Sequence, residues 1–315
     1  MASVAFKCTL ITPLFMSGAD QTSQELRVPS LKGAIMFWWR AIHPEPDPQK
    51  LRDKEVEVFG GMNSENKTYR SSIRIQIDYN QDDWNNHLSH NFRKEYSLPY
   101  QNHPLLYLLF GVTDRPFLKP GFSFDVVIKS RTKSHLDSAT QAFQLLSVYG
   151  GIGAKSRNGY GNFVIEGKAI DTQSILKSSQ NQIKYTALSK DVVLFETPRK
   201  DFSSARKALE EIASAYKYSK VALGKVSSDA KEYIAYSGKN NETKRKFNIS
   251  RHAKTHFLSI QPTEKGYKGS ILFIPYLFLG KDPDDDIIQE YKGAISEFNE
   301  ELTSIDNPNQ LERIP

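Results

Sequence analysis

Gly150-Gly-Ile-Gly-Ala-Lys-Ser-Arg-Asn-Gly-Tyr-Gly-Asn-Phe163 is the stretch on which the fold turns. It holds five glycines, two cations, two amides and one tyrosine, and almost nothing that builds a core. Glycine reaches positive φ without a Cβ clash and lets another backbone come close. The segment is therefore expected to turn repeatedly with its N–H groups facing outward, a geometry that suits phosphates. Two familiar phosphate loops fail on their frames. A Walker loop needs glycine directly before its lysine, but Ala154 precedes Lys155 and Tyr149 stands where the leading glycine belongs. A dinucleotide fingerprint follows a strand and opens a helix, and here the flanks are reversed. Leu136, Ala139, Phe143, Leu146 and Tyr149 recur at helical spacing behind Ser134 as a candidate cap, whereas Phe163, Ile165 and Ile170 point to a strand. A helix, a basic glycine loop and a strand would show Lys155, Arg157 and Tyr160 on one edge, which reads as polynucleotide binding. The bland alternative is a flexible connection in which glycine only stops the helix.

Outward from the loop, the first half reads as strand, helix, strand, strand, helix, strand. Val4, Phe6, Cys8 and Leu10 alternate up to Pro13, and a polar surface loop runs from Met16 to Val28. Pro29 and Ser30 then introduce a helix over Leu31 to Ile42 that is apolar on nearly every side. Lys32, Met36 and Arg40 share one side of it, either as a cationic strip or as side chains snorkelling to solvent. A stiff Pro44–Pro48 run and a short helix to Phe59 precede the alternating Ile73, Ile75 and Ile77, and residues 80 to 102 read as an inserted surface segment without assignable structure. Phe122, Phe124, Val126 and Ile128 mark the next strand. The order is the ferredoxin-like pattern, in an α+β class, with the glycine loop beside the sheet edge.

Polar residues 171 to 190 are the expected boundary, giving domains 1–180 and 181–315. Beyond it, Ala205 to Tyr216 and Ile287 to Phe298 suit helices, and Phe257 to Ile260 with Ser270 to Phe278 look like paired strands. Lys239 to Lys254, Arg251 included, is a basic run whose usual fate is a solvated loop.

The 315 residues, 39% hydrophobic and 11% aromatic, suffice for packed cores. An excess of 42 Lys and Arg over 36 Asp and Glu favours polyanions without naming one. Cys8 is the only cysteine, which excludes an internal disulfide or a Cys-based zinc cluster and suggests a reducing interior. Without a signal-like N-terminus or a run of about 18 apolar residues, a cytoplasmic protein with no membrane partner is expected. His252 and His256 have ligand spacing but lack the glutamate of a zincin, and Asp284, Asp285 and Asp286 make sense as partners of a helix N-terminus. No metal, cofactor or catalytic residue is predicted.

Several segments together resemble one family. Ile11-Thr-Pro-Leu-Phe-Met-Ser-Gly-Ala-Asp20, Glu25-Leu-Arg-Val-Pro-Ser-Leu-Lys-Gly33, Phe37-Trp-Trp-Arg40, Val58-Phe-Gly60, Arg70-Ser71 and the Gly150 loop are similar to the RAMP superfamily. Within it they resemble the first subunits of the type III-B CRISPR module, the Cmr complex. In the second half only Ser250 to Ser259 looks familiar.

The resemblance implies two ferredoxin-like, RRM-like RAMP domains in a non-catalytic subunit near the 3′ part of a guide RNA. The partners it implies are guide RNA, target RNA and other Cmr subunits. RNA-binding residues would be Gly151, Gly153, Lys155, Ser156, Arg157, Asn158, Gly159, Tyr160 and Gly161 of the loop, extended by Arg27, Lys32, Arg40, Arg70 and Arg251. Lys155 and Arg157 would neutralise phosphates and Tyr160 would stack on a base. Family members often carry two arginines before the glycine at 159; Asn158 replaces the second and implies a hydrogen-bonding role. The rivals are a metal-independent RAMP endoribonuclease, using a lysine with His43 as the candidate histidine, and a protein-only scaffold with acidic neighbours.

Overall fold

In a computed structural model of the chain, residues 1–18, 20, 23–43, 45–99, 102–167, 173–176, 186–226, 230–236, 252–275 and 284–314 are described. Strand β1 (Ala2–Leu10) buries Phe6, Cys8 and Leu10, because alternate side chains of an extended chain share a face. Helix α1 (Val28–Ile42) carries Pro29 in its first turn, where the missing N–H is no loss, and buries Leu31, Ile35, Trp38 and Trp39. Helix α2 (Pro48–Phe59) starts on the Asp47 cap and stops at Gly60, whose φ is +76°. Strands β2 (Ile73–Asp78) and β3 (Ser123–Ser130), helix α3 (Lys133–Tyr149) and strand β4 (Phe163–Ile165) complete the first half.

The sheet order is β2-β3-β1-β4 with antiparallel neighbours throughout. Register places Phe6 opposite Val126, Cys8 opposite Phe124 and Leu10 opposite Phe163, which gathers the apolar positions on the face covered by α1 and α3. This is the ferredoxin-like βαββαβ arrangement expected from the sequence.

The second half repeats it. Strand β5 (Val193–Glu196), helices α4 (Ala205–Val226) and α5 (Ala230–Ile234), strands β6 (His256–Thr263) and β7 (Gly266–Phe273), helix α6 (Asp285–Thr303) and strand β8 (Glu312–Ile314) follow in order. Their sheet is β6-β7-β5-β8, the same topology as the first. Asp284 caps α6 by accepting from the Asp286 N–H, so this acidic cluster serves a helix start.

One expectation changes. Residues 80 to 99 are a packed insertion: Asn80 and Asn91 cap short helices over Gln81–His87 and Phe92–Glu95, and Trp84, Phe92 and Leu98 are buried. The boundary expected at 180/181 falls outside the described residues. Leu188, Leu194, Phe257 and Leu272 join the core of the first sheet, while Ile11, Phe15, Phe117 and Tyr160 join that of the second.

Candidate nucleic-acid interface

The glycine loop leaves α3 at Gly150, whose N–H bonds to Leu146 O at 3.0 Å, and crosses to the second sheet. There it docks on the edge strand β6. Leu258 N–H donates to Arg157 O at 3.1 Å and Asn158 bridges Leu258 in parallel fashion, so the loop covers backbone groups that an exposed edge would leave open. Asn162, fully buried, fastens the arrangement: its side chain donates to Gly150 O and accepts from Ile260 N at 3.0 Å, and its backbone N–H reaches Thr12 Oγ1 at 2.8 Å. Sequence inspection attached no role to Asn162, because a lone amide in a glycine loop carries no pattern.

The expectation of outward N–H groups needs correction. Gly161 N–H donates to Pro13 O at 2.8 Å and Ile152 N–H to Gly161 O at 3.0 Å. Gly153, at φ +81°, lies so near Phe15 that a Cβ would sit 2.5 Å from its carbonyl oxygen. Gly151, Gly159 and Gly161 are buried, so these glycines serve close packing against the body of the protein. Tyr160 is corrected most sharply. It is 0% exposed and touches Phe15 and Phe92 edge-on, and its hydroxyl donates to Leu105 O at 3.0 Å, so no ring face is open to a base. The signal that misled is its place among glycines, where an apolar anchor and a stacking platform look alike.

Gly150 and Gly151 line a small cavity of about 210 Å³ against α1, while Lys155, Ser156, Arg157 and Asn158 reach a larger opening. They line a cavity of about 550 Å³ with Lys220, Lys231, Glu232, Tyr236, His252 and Lys254 among the other walls. Lys155 turns the chain at φ +62°, and partial burial lowers the pKa of its amine. Arg157 lies over the rings of Phe257 and Phe37, 4.6 and 5.0 Å from their centroids, and its Nη1 donates to Lys254 O at 2.7 Å. Its guanidinium is thus fixed by packing at the wall. Asn158 spends its amide inside the protein, donating to Leu108 O at 2.6 Å at the end of the short helix Pro104–Leu108. His252 donates through Nε2 to Glu232 O at 2.7 Å, and burial lowers its pKa.

The remaining candidates divide. Lys32 and Arg70 share a second cavity, of about 540 Å³, with Arg74 and Arg131. On α1, Lys32 and Phe37 are about 140° apart by helical rotation, so this cavity and the ring beneath Arg157 lie on different sides of the helix. Lys32 also donates to Phe59 O at 2.5 Å. Arg40 is ion-paired with Glu55 on α2, which removes it from the loop's surface, and Arg27 lies 3.7 Å from Glu25. Arg251 lies outside the described residues. The single extended basic surface expected from sequence is therefore two separate cavities.

Lys220, Lys231 and Tyr236 were missed. A signal existed for Lys220, which stands one helical turn after Tyr216 on the apolar side of α4, where a lysine is out of place. His43 stacks on Trp39 at 4.3 Å between ring centroids and donates through Nδ1 to Trp39 O at 2.8 Å, and burial lowers its pKa. His256 donates to Asn299 Oδ1 at 2.9 Å within the second core. Among the described residues no group of His, Cys, Asp and Glu is placed to hold a metal ion, and no helix is long and apolar enough to cross a membrane.

Comparisons with known proteins extend this picture. Over 151 residues the chain is 28% identical to CRISPR system Cmr subunit Cmr1-1 of Pyrococcus furiosus, covering 45% of this chain and 40% of that protein. It is 30% identical over 81 residues to subunit Cmr1-2 of the same organism, covering 25% of this chain and 42% of that one. The matched stretches thus span about two fifths of these relatives' length. In three dimensions the crystal structure of apo Cmr1 from Pyrococcus furiosus superposes with a TM-score of 0.63 at 18% identity, covering 99% of this chain and 98% of that one. A chain of the type III-B Cmr-beta complex bound to cognate target RNA gives 0.54 at 13% identity, covering 95% and 99%. These likenesses establish a shared fold across both halves. The profile of the RAMP superfamily matches residues 7–164, half of the 315 residues, and the chain belongs to that superfamily.

Proposed function

We propose that the chain is a non-catalytic, cytoplasmic RNA-binding subunit of a type III-B CRISPR effector complex. In this reading it acts at the 3′ end of the guide RNA and in capture of the target, beside other Cmr subunits. Support comes from the similarity to Cmr1 proteins and from the fold shared with a chain of an RNA-bound Cmr complex. The observation that carries the reading is the cavity at the loop tip, where, among the described residues, the cations Lys155, Arg157, Lys220 and Lys231 face one carboxylate, Glu232. Such an excess of cations in a concave wall attracts a polyanion and makes its binding salt-dependent. The repeated strand order supports two domains meeting near residue 180, joined through shared cores.

Replacing Lys155 and Arg157 together by alanine should lower the slope of log affinity against log salt by up to about two phosphate equivalents, measured by fluorescence anisotropy with single-stranded RNA. An unchanged slope removes these residues from the site. Incubation with labelled repeat RNA in the absence of metal should give binding without cleavage; defined cleavage would instead favour the endoribonuclease.

A further inference from the structure

The cavity at the loop tip contains one group that its packing does not explain. Lys254 is 7% exposed, and its Nζ has no hydrogen-bond partner among the described residues. Nζ lies 4.2 Å from the centroid of the Tyr216 ring. A lysine can normally snorkel to solvent, and leaving an amine buried and unbonded is costly, so a structural role alone would favour methionine or leucine here. The same residue lines the cavity beside Lys220, and its backbone carbonyl accepts from the Arg157 guanidinium.

We propose that this cavity is a built subsite for one phosphodiester group of bound RNA, with the Lys254 amine as its floor and Lys155 and Lys220 as its walls. The inference rests on the RNA-binding reading and deepens it, by locating one phosphate in a concave wall against a buried amine. The cavity, about 550 Å³, has room for a nucleotide's phosphate and sugar. A phosphate oxygen supplies the acceptor that Nζ lacks, and a charge-assisted bond of this kind in a desolvated site is worth more than a surface contact.

A proton accompanies the phosphate. Among the described residues, every charged group lining the cavity around Lys254 except Glu232 is a cation: Lys155 and Arg157 from the loop, Lys220 from α4 and Lys231 from α5. His252 and His256, from its own segment, are buried and favoured as neutral. Burial first, then Lys220, Arg157 and Lys155, lower the pKa of the Lys254 amine well below its usual value. An arriving phosphate reverses the balance and favours the ammonium. Binding therefore takes up a proton, and affinity falls as pH rises between the titration of the free amine and that of the phosphate-bound one.

The test is isothermal titration calorimetry of the whole protein with a single-stranded RNA decamer bearing hydroxyl ends, near pH 8 in Tris and in HEPES. The phosphodiesters of this probe do not titrate there, so a difference in apparent enthalpy between the two buffers counts protons taken up by the protein. Wild type should take up a fraction of a proton, to at most about one. Lys254→Met should abolish the uptake and weaken binding about tenfold, while retaining its packing over Tyr216. Lys220→Met, which removes one repelling cation and leaves the floor intact, should reduce the uptake without abolishing it. RNA binding with no proton uptake in wild type, or with equal uptake in Lys254→Met, overturns the subsite and leaves RNA binding standing. No RNA binding at all overturns both.

Discussion

The two halves of the molecule share one strand order but join their last helix to their last strand in different ways. In the first half the second helix reaches its last strand through residues 150–162, with five glycines and two cations; in the second the same link is residues 304–311, with no glycine and no cation. Each link is fastened by a buried asparagine. Asn162 donates to Gly150 O, and Asn307 donates to Glu301 O at 3.0 Å while its Oδ1 accepts from Asn309 N at 3.0 Å. The βαββαβ scaffold thus needs a turn at this place but not a glycine-rich one. What the glycines add is a long path across to the other sheet, ending in a short cationic tip. Topology and binding chemistry are separable within one chain.

The largest expected effect breaks the first link. Gly161, at φ +67°, packs on the Ile152 carbonyl so closely that a Cβ cannot fit, whereas Gly167, at φ +69°, has nothing within 4 Å. Gly161→Ala should lower stability by about 3–5 kcal/mol, and Gly167→Ala by only about 1 kcal/mol, the ordinary penalty of a left-handed alanine. Urea midpoints of the two variants make the comparison. Equal losses would mean that the close approach between loop and body contributes nothing.

The same contrast explains what could be read from the chain. The first half announces itself because β1, β2 and β3 alternate over six to nine residues and α1 and α3 have helical spacing. In the second half β5 and β8 run for only four and three residues, too short for a period to register, so the ferredoxin-like order there came from resemblance and not from pattern. At the site, Lys155 and Arg157 were legible as cations among glycines. Tyr160 was not, since sequence does not reveal that Leu105 O awaits its hydroxyl. Lys220 and Lys254 are brought to the loop by long-range packing that no local motif encodes.

A second lever acts on the second core alone. His256 is buried between Phe273 and Phe298, and burial depresses its pKa from 6.5 to about 3. The unfolded chain therefore takes up the proton first. This stabilisation is complete above about pH 6.5 and is lost as pH falls towards about 3. Between about pH 6 and pH 4 the loss should be roughly 2–3 kcal/mol, and His256→Leu should flatten that part of the stability profile even if it is less stable at neutral pH. The inward positions of the first sheet, Phe6, Cys8, Leu10, Val126 and Ile128, hold nothing that titrates in this window. An unchanged acid slope in His256→Leu would place the acid sensitivity elsewhere.

The smallest effect separates the cations of the first half by what they do. Arg40 pairs with Glu55 across α1 and α2, at 33% and 14% side-chain exposure, while Lys155 and Arg157 reach the cavity at the loop tip. A partly exposed pair of this kind contributes modestly, so Arg40→Met should cost about 1 kcal/mol or less in stability. Its consequence for RNA is the sharper readout. If Arg40 clamps two helices and neutralises no phosphate, the salt slope of RNA binding in Arg40→Met should match that of wild type, in contrast to the Lys155 and Arg157 double variant. A slope lowered by about one would show that Arg40 leaves Glu55 for the nucleic acid, and would rejoin the two cavities into one surface running around α1.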